Sequence, residues 1–155
     1  MTRYGLDDQR WRELEDEVLE LFTALLRIDT TNGNETAAAR VLQAYLAEHG
    51  ITAELRGELP DRQNLVARLD GAGPGPTLTM MGHLDVVPAD AGEWSVPPFS
   101  GTVRDGYVWG VGAVDMKNMD AMVITALQDI LGAGKQPARD LVIAFFSDEE
   151  NGGVF

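Results

Sequence analysis

The 155-residue sequence contains no cysteine, which excludes a disulfide framework and any thiolate metal site. A metal bound here must be held by His, Asp and Glu, and there are two histidines, His49 and His83. Basic residues are sparse as well: 12 Lys+Arg stand against 25 Asp+Glu, for a net charge of -13. Nucleic acids and anionic membrane surfaces are bound through Lys/Arg clusters, so neither is expected as a partner. No stretch approaches the roughly 20 apolar residues of a membrane span. Met1-Thr2-Arg3-Tyr4-Gly5 leads into charged sequence without an apolar signal segment, so the default expectation is a soluble cytoplasmic protein. Internal repeats and low-complexity tracts are also missing. What remains is a composition of 45% hydrophobic and 24% charged residues, which argues against disorder and for one domain with its own core. The acidity fits a solvated surface, or a set of carboxylates of which some hold cations.

Apolar residues recur at helical spacing from Asp7 to Ile28, through Trp11, Leu14, Val18, Leu21, Phe22, Leu25 and Leu26. Asp29-Thr30-Thr31-Asn32-Gly33-Asn34 ends that helix with turn-forming residues. A second helix is expected from Glu35 to His49, with Ala38, Val41, Leu42, Tyr45 and Leu46 inward and Gly50 as its C-terminal cap. His49 in its last turn complements the helix dipole and is set aside as a ligand. Strands are expected at Ile51–Leu55, Asn64–Leu69, Thr77–Met81 and Leu141–Phe146, the last an apolar run typical of a strand covered on both faces. Asp105-Gly106 marks a hairpin between Thr102–Arg104 and Tyr107–Trp109. A third helix starts after Asp115 and ends near Gly132, with Met119, Met122, Val123, Ala126, Leu127 and Ile130 assigned to its inner side as core filler. Helices alternating with strands imply an α/β fold: a mixed, mostly parallel sheet flanked by helices on both sides.

Two glycine-rich segments need separate treatment. Gly71-Ala72-Gly73-Pro74-Gly75-Pro76 lacks the Gly-Lys-Ser/Thr ending of a phosphate loop and reads as a turn. Gly110-Val111-Gly112-Ala113-Val114-Asp115 places a carboxylate where a dinucleotide fingerprint has its third glycine, and its charge would oppose a pyrophosphate.

Three polar clusters remain, each at a strand end or just before a helix: His83 with Asp85, then Asp115, then Glu149 with Glu150. Sites in open α/β sheets form beyond the carboxyl ends of strands, so position favours a single site. Taken singly, His83 could be a satisfied core histidine, Asp115 a helix N-cap, and Glu149-Glu150 an exposed acidic pair. Residues two apart on a strand share a face, which would let the Asp85 carboxylate accept the second N–H of a metal-binding His83. Three consecutive acids after a buried strand concentrate charge that a cation would relieve.

Gly82-His83-Leu84-Asp85-Val86-Val87-Pro88 resembles the GHxDVVP segment of the M20 metallopeptidases and amidohydrolases. The likeness extends to Arg27-Ile28-Asp29-Thr30-Thr31-Asn32, Trp94, Pro98-Phe99, Gly101, Asp105-Gly106, Gly110-x-Gly112-Ala113-x-Asp115-Met116-Lys117 and Ser147-Asp148-Glu149-Glu150-Asn151-Gly152-Gly153. It implies a zinc-peptidase-like catalytic domain, of which residues 1–155 form an N-terminal part. His83 would bind one zinc, Asp115 bridge both, and Glu150 bind the other; Co2+ or Mn2+ could substitute. Glu149 would be the general base and Asp85 would orient His83, in hydrolysis of an amide bond in an N-acyl amino acid or small peptide. The bond after Asp115 is cis in some family members, so a cis Asp115–Met116 bond is an expectation here. The resemblance also implies that a further acidic ligand, a distant His and a dimerising second domain lie beyond Phe155. The 155 residues by themselves would then bind zinc weakly and be inactive, and a non-catalytic fragment or pseudoenzyme is the alternative. Val111 and Asn118-Met119 depart from the family's usual Arg and glycines, which bears on loop geometry and substrate contacts rather than on the ligands.

Overall fold

The computed structural model describes residues 5–154. Residues 1–4, on which the expectation about a signal segment partly rests, lie outside the described residues. The elements run α1 (Asp8–Leu26), α2 (Glu35–Glu48), β1 (Ala53–Arg56), β2 (Asn64–Leu69), β3 (Leu78–His83), β4 (Thr102–Arg104), β5 (Tyr107–Trp109), α3 (Lys117–Gly132) and β6 (Leu141–Phe146). The β4–β5 hairpin turns at Asp105 and Gly106, both at positive φ. Helix α1 starts where Asp7 accepts a hydrogen bond from the Arg10 amide at 2.8 Å. No helix among the described residues is long and apolar enough to cross a membrane.

The main sheet has the order β1-β2-β6-β3. It is mixed, as expected, but not mostly parallel: among the described residues β1–β2 and β2–β6 are antiparallel and β3–β6 is parallel. The short connection from β1 to β2 can only return the chain antiparallel. Between β3 and β6 the chain has room for the α3 crossover that parallel pairing requires.

A second correction concerns the flanks. Leu65 and Ala67 of β2 and Ile143 and Phe145 of β6 share one core with Leu25 and Leu26 of α1, Leu42 and Leu46 of α2, and Ala121 and Ile124 of α3. The helices thus join one face of the sheet, and not both. On the other face Met81 is 67% exposed and Phe146 39%, so β6 is not covered on both sides among the described residues.

Helix α3 also turns differently from its apolar pattern. Met119, Met122 and Ile130 are exposed, while Lys117, Asp120, Ala121, Ile124, Thr125 and Leu127 are buried. The apolar residues spread around much of this helix, so their spacing could not fix which side faces inward. Lys117 is drawn in by carbonyls: its Nζ donates to Leu25 O at 3.2 Å and Ile28 O at 2.8 Å. It thereby satisfies the end of α1, which has no basic residue in its own last turn. Asp120 sits against Gly82, where a Cβ would collide with its carboxylate. Neither Asp120 oxygen has a hydrogen-bond partner among the described residues.

Burial pushes the Asp120 carboxyl up to about 8, against the opposing pull of His83 and Lys117. In the unfolded chain this carboxyl releases its proton near pH 4, as an ordinary aspartate does. The folded state therefore binds the extra proton between those values, and its stability falls as pH rises through that window. Asp120→Asn removes this dependence. Between pH 5 and 6.5 the unfolding free energy of the unaltered chain should decline relative to the variant by up to about 1.4 kcal/mol per pH unit, read by urea denaturation. Parallel profiles for the two proteins would contradict the assignment.

Candidate metal centre

The site is built where the parallel strands β3 and β6 end side by side. His83, the last residue of β3, is in register with Phe146, the last of β6, and Leu84 N donates to Phe146 O at 2.7 Å. Parallel pairing aligns the carboxyl ends, so the residues after each strand emerge next to each other. Ser147 is fixed by Asn64 Oδ1, which accepts from its amide at 2.7 Å and its hydroxyl at 3.1 Å. Asp148 then takes a left-handed conformation, φ 67, which bends the chain back. The Asp85 carboxylate accepts from both amides beyond the bend, Glu149 N at 3.0 Å and Glu150 N at 2.8 Å.

Asp115 arrives from the turn before α3. Gly112 (φ +82) packs so closely on Val86 and Lys117 that a side chain would clash there. Asp115 is not the helix N-cap: that position is Met116, without a side-chain capping bond. The Asp115–Met116 peptide is cis, in line with the expectation. Asp115 Oδ1 lies 3.0 Å from His83 Nε2, and its side chain is 75% exposed. Glu149 Oε2 lies 3.9 Å from the same nitrogen.

The structure thus gathers all five residues singled out from the sequence. His83, Asp115 and Glu150 each offer one donor atom, and these atoms lie within 4.8 Å of one another. Two donors at about 2.0–2.2 Å from one ion can be at most about 4.4 Å apart. The cluster is therefore of the size that divalent cations with a shared carboxylate would occupy, and imidazole with carboxylates is a donor set that suits them. His49 is elsewhere, its Nδ1 2.7 Å from Tyr45 O at the end of α2. The Gly71 amide is occupied by Asp140 Oδ1 at 3.0 Å, consistent with a turn and not a phosphate loop.

Asp85 meets His83 in a different way from that expected. His83 Nδ1 lies 3.0 Å from the Asp85 main-chain oxygen and 3.5 Å from its carboxylate. Strand β3 ends at His83, so the shared-face rule for residues two apart no longer holds beyond it. The backbone carbonyl is the nearer acceptor, and the carboxylate organises the Glu149–Glu150 turn.

Electrostatics mark the cluster as short of positive charge. The Asp85 carboxylate beside it raises His83, burial opposes, Asp115 adds, and the imidazole is pushed up to about 9. Burial also pushes Asp85 up, but the His83 ring and the Glu150 and Glu149 amides outweigh it and hold the carboxyl below its ordinary value. Glu150 is raised by burial and, although His83 opposes, by neighbouring Asp115, Glu149 and Asp85.

Sequence reasoning missed Arg62, Glu35, Lys117 and Asp120. Arg62 donates to the buried Glu35 and to Asp148, beside the Glu149–Glu150 pair. A polar loop arginine and a first-turn glutamate carry no signal of such pairing until the fold places them together.

A mixed α/β domain with His and carboxylate donors at the ends of adjacent parallel strands is a metallopeptidase-like architecture. Comparison with known proteins agrees: residues 79–154 match the model of peptidase family M20/M25/M40. The succinyl-diaminopimelate desuccinylase of Bradyrhizobium sp. (strain ORS 278) is 37% identical over 141 residues, covering 87% of this chain and 36% of that protein. Among solved structures, human carnosine dipeptidase 1 superposes with a TM-score of 0.77 at 22% identity, over 94% of this chain and 35% of its own. The Bacillus subtilis YXEP protein, described as a dinuclear metal-binding peptidase of the M20 family, gives 0.63 at 17% identity, over 90% and 36%. The chain belongs to the M20 peptidase family. It spans about a third of the length of the curated relatives it matches.

Asp85→Asn keeps the shape but cannot accept from both turn amides. It should weaken Zn2+ binding by about 10–100-fold, measured by competition with a chromophoric chelator. Unchanged affinity would remove Asp85 from the support of the cluster.

Proposed function

We propose that the protein carrying this chain hydrolyses an amide bond in an N-acyl amino acid or small peptide with the help of two divalent metal ions, zinc in the first instance. The observation that carries this reading is the convergence of His83, Asp115 and Glu150 with the exposed Glu149 carboxylate 3.9 Å from the His83 ring. The relatives support it by name. A desuccinylase removes a succinyl group, which from nitrogen is amide hydrolysis, and a dinuclear metal-binding peptidase is among the structural neighbours.

His83 would hold one ion, Glu150 the other, and Asp115 both, since a carboxylate has two oxygens to share. Co2+ and Mn2+ suit the same donors. When bound, the metals supply Lewis acidity toward the amide carbonyl and lower the pKa of water. The chain's own residues do the rest. Glu149, 61% exposed, reaches into solvent as the general base: it takes the proton of the attacking water and returns it to the leaving amine. Asp85 holds the His83 ring through its carbonyl and the Glu149–Glu150 turn through its carboxylate, so base and ligands keep a fixed relation. The substrate is a small molecule, and dimerisation through a further domain belongs to the same proposal.

Glu149→Gln separates the base from the ligands. Turnover of N-acyl amino acids and dipeptides should fall by at least about a hundredfold while bound metal per chain is unchanged. Retained turnover would exclude Glu149 as the base, and loss of metal would make it a ligand instead.

A further inference from the structure

The Glu149–Glu150 turn is held from two sides, and the second hold is independent of Asp85. Asp148 is almost wholly buried, its side chain 3% exposed. One of its oxygens accepts from Arg62 at 2.5 Å and the other from Val154 N at 3.0 Å, while its carbonyl accepts from Gly153 N at 2.6 Å. Arg62 in turn grips Glu35, fully buried in the first turn of α2, at 2.8 Å through one nitrogen and 3.2 Å through Nε. The main chain beside Arg62 is pinned too. Thr36 N donates to Asp61 O at 3.1 Å, Gln63 N to Thr36 Oγ1 at 2.9 Å, and Ser147 Oγ to Arg62 O at 3.0 Å. One guanidinium therefore bridges two buried carboxylates, one at the start of α2 and one at the bend before Glu149. Nη2 meets both carboxylates and Nε adds a second bond to Glu35, so the guanidinium fixes its own plane between them as well as its charge.

We propose that Arg62 is a positioning residue for the metal centre: by clamping Asp148 to Glu35 it sets where Glu149 and Glu150 stand relative to His83 and Asp115. The inference rests on the metal reading above, because it is the ligand Glu150 and the base Glu149 that the clamp places. Glu35 is carried on a helix packed into the core, and Asp148 stands at the bend that leads into Glu149 and Glu150. Releasing the clamp leaves the Asp85 bonds as the remaining hold on the turn's amides.

Arg62→Lys keeps one positive charge but ends one bond short of Nη2 and loses the Nε bond to Glu35, so the geometry of the bridge is lost. Leu42→Ala, a core truncation in α2, serves as a control that destabilises without touching the site. Amide hydrogen exchange is followed by NMR in the metal-free chain. Arg62→Lys should speed exchange at Glu149 and Glu150 by about tenfold or more relative to the β6 amides, whereas Leu42→Ala should speed both sets alike. In a Co2+ titration of the whole protein that carries this chain, at a temperature where all the variants are folded, Arg62→Lys should bind about 10–100-fold more weakly and Leu42→Ala as tightly as the unaltered protein. Exchange at Glu149 and Glu150 that does not outrun β6 overturns the clamp. If the unaltered whole protein that carries this chain takes up no Co2+, the metal reading fails, and the exchange comparison still decides whether Arg62 holds the turn. Should Arg62→Lys not fold, the isosteric Glu35→Gln enters the same comparison, with the same local acceleration expected and its absence again overturning the proposal.

Discussion

Parallel hydrogen bonding between β3 and β6 is the constraint on which the site depends. It puts His83 in register with Phe146, so the chain leaves both strands at the same edge of the sheet. The segments that follow, Leu84–Asp85 and Ser147–Glu150, then lie within hydrogen-bonding reach of each other. An antiparallel arrangement of these two strands would send the acidic turn to the opposite end. The α3 crossover that permits parallel pairing also delivers Asp115 to the His83 ring, so one topological choice brings three ligand candidates together.

That gathering creates an electrostatic problem, and much of the surrounding structure answers it. Asp85, Asp115, Asp148, Glu149 and Glu150 converge on one end of the sheet. Each buried carboxylate among them has a designated partner: amides and His83 for Asp85, Arg62 for Asp148. Lys117 brings a positive charge into the interior while its donors close the end of α1. Asp120 is the exception, buried beneath Gly82 without a partner among the described residues, and burial keeps it neutral over much of the pH range. Asp115 and Glu149 remain exposed, where their charges are available to a cation and a substrate.

Much of this was legible in the sequence because local rules and tertiary structure agree there. The three helices, the β4–β5 hairpin and the strands that make the sheet follow from periodicity and turn chemistry, and His83, Asp85, Asp115, Glu149 and Glu150 stood out at strand ends. What was not legible depends on long-range geometry. Apolar residues on several sides of α3 concealed that Lys117 and Asp120 face inward. Composition could not show that the helices pack on one face, leaving Met81 and Phe146 exposed. Arg62 and Glu35 looked like ordinary surface residues, since a bridging guanidinium is recognisable only when both carboxylates are in place. Asp85 was assigned to His83 through its side chain by strand alternation, but the strand stops two residues before Asp85.

The proposal that His83, Asp115 and Glu150 ligate a metal centre underlies the proposed function. Its most direct test is anomalous diffraction at the zinc edge from crystals grown with Zn2+. Two anomalous peaks are expected, one about 2.0–2.2 Å from His83 Nε2 and an Asp115 oxygen, the other at the same distance from an Asp115 oxygen and a Glu150 oxygen. A zinc-loaded crystal with no peak at this cluster, or with zinc on His49 instead, would contradict it.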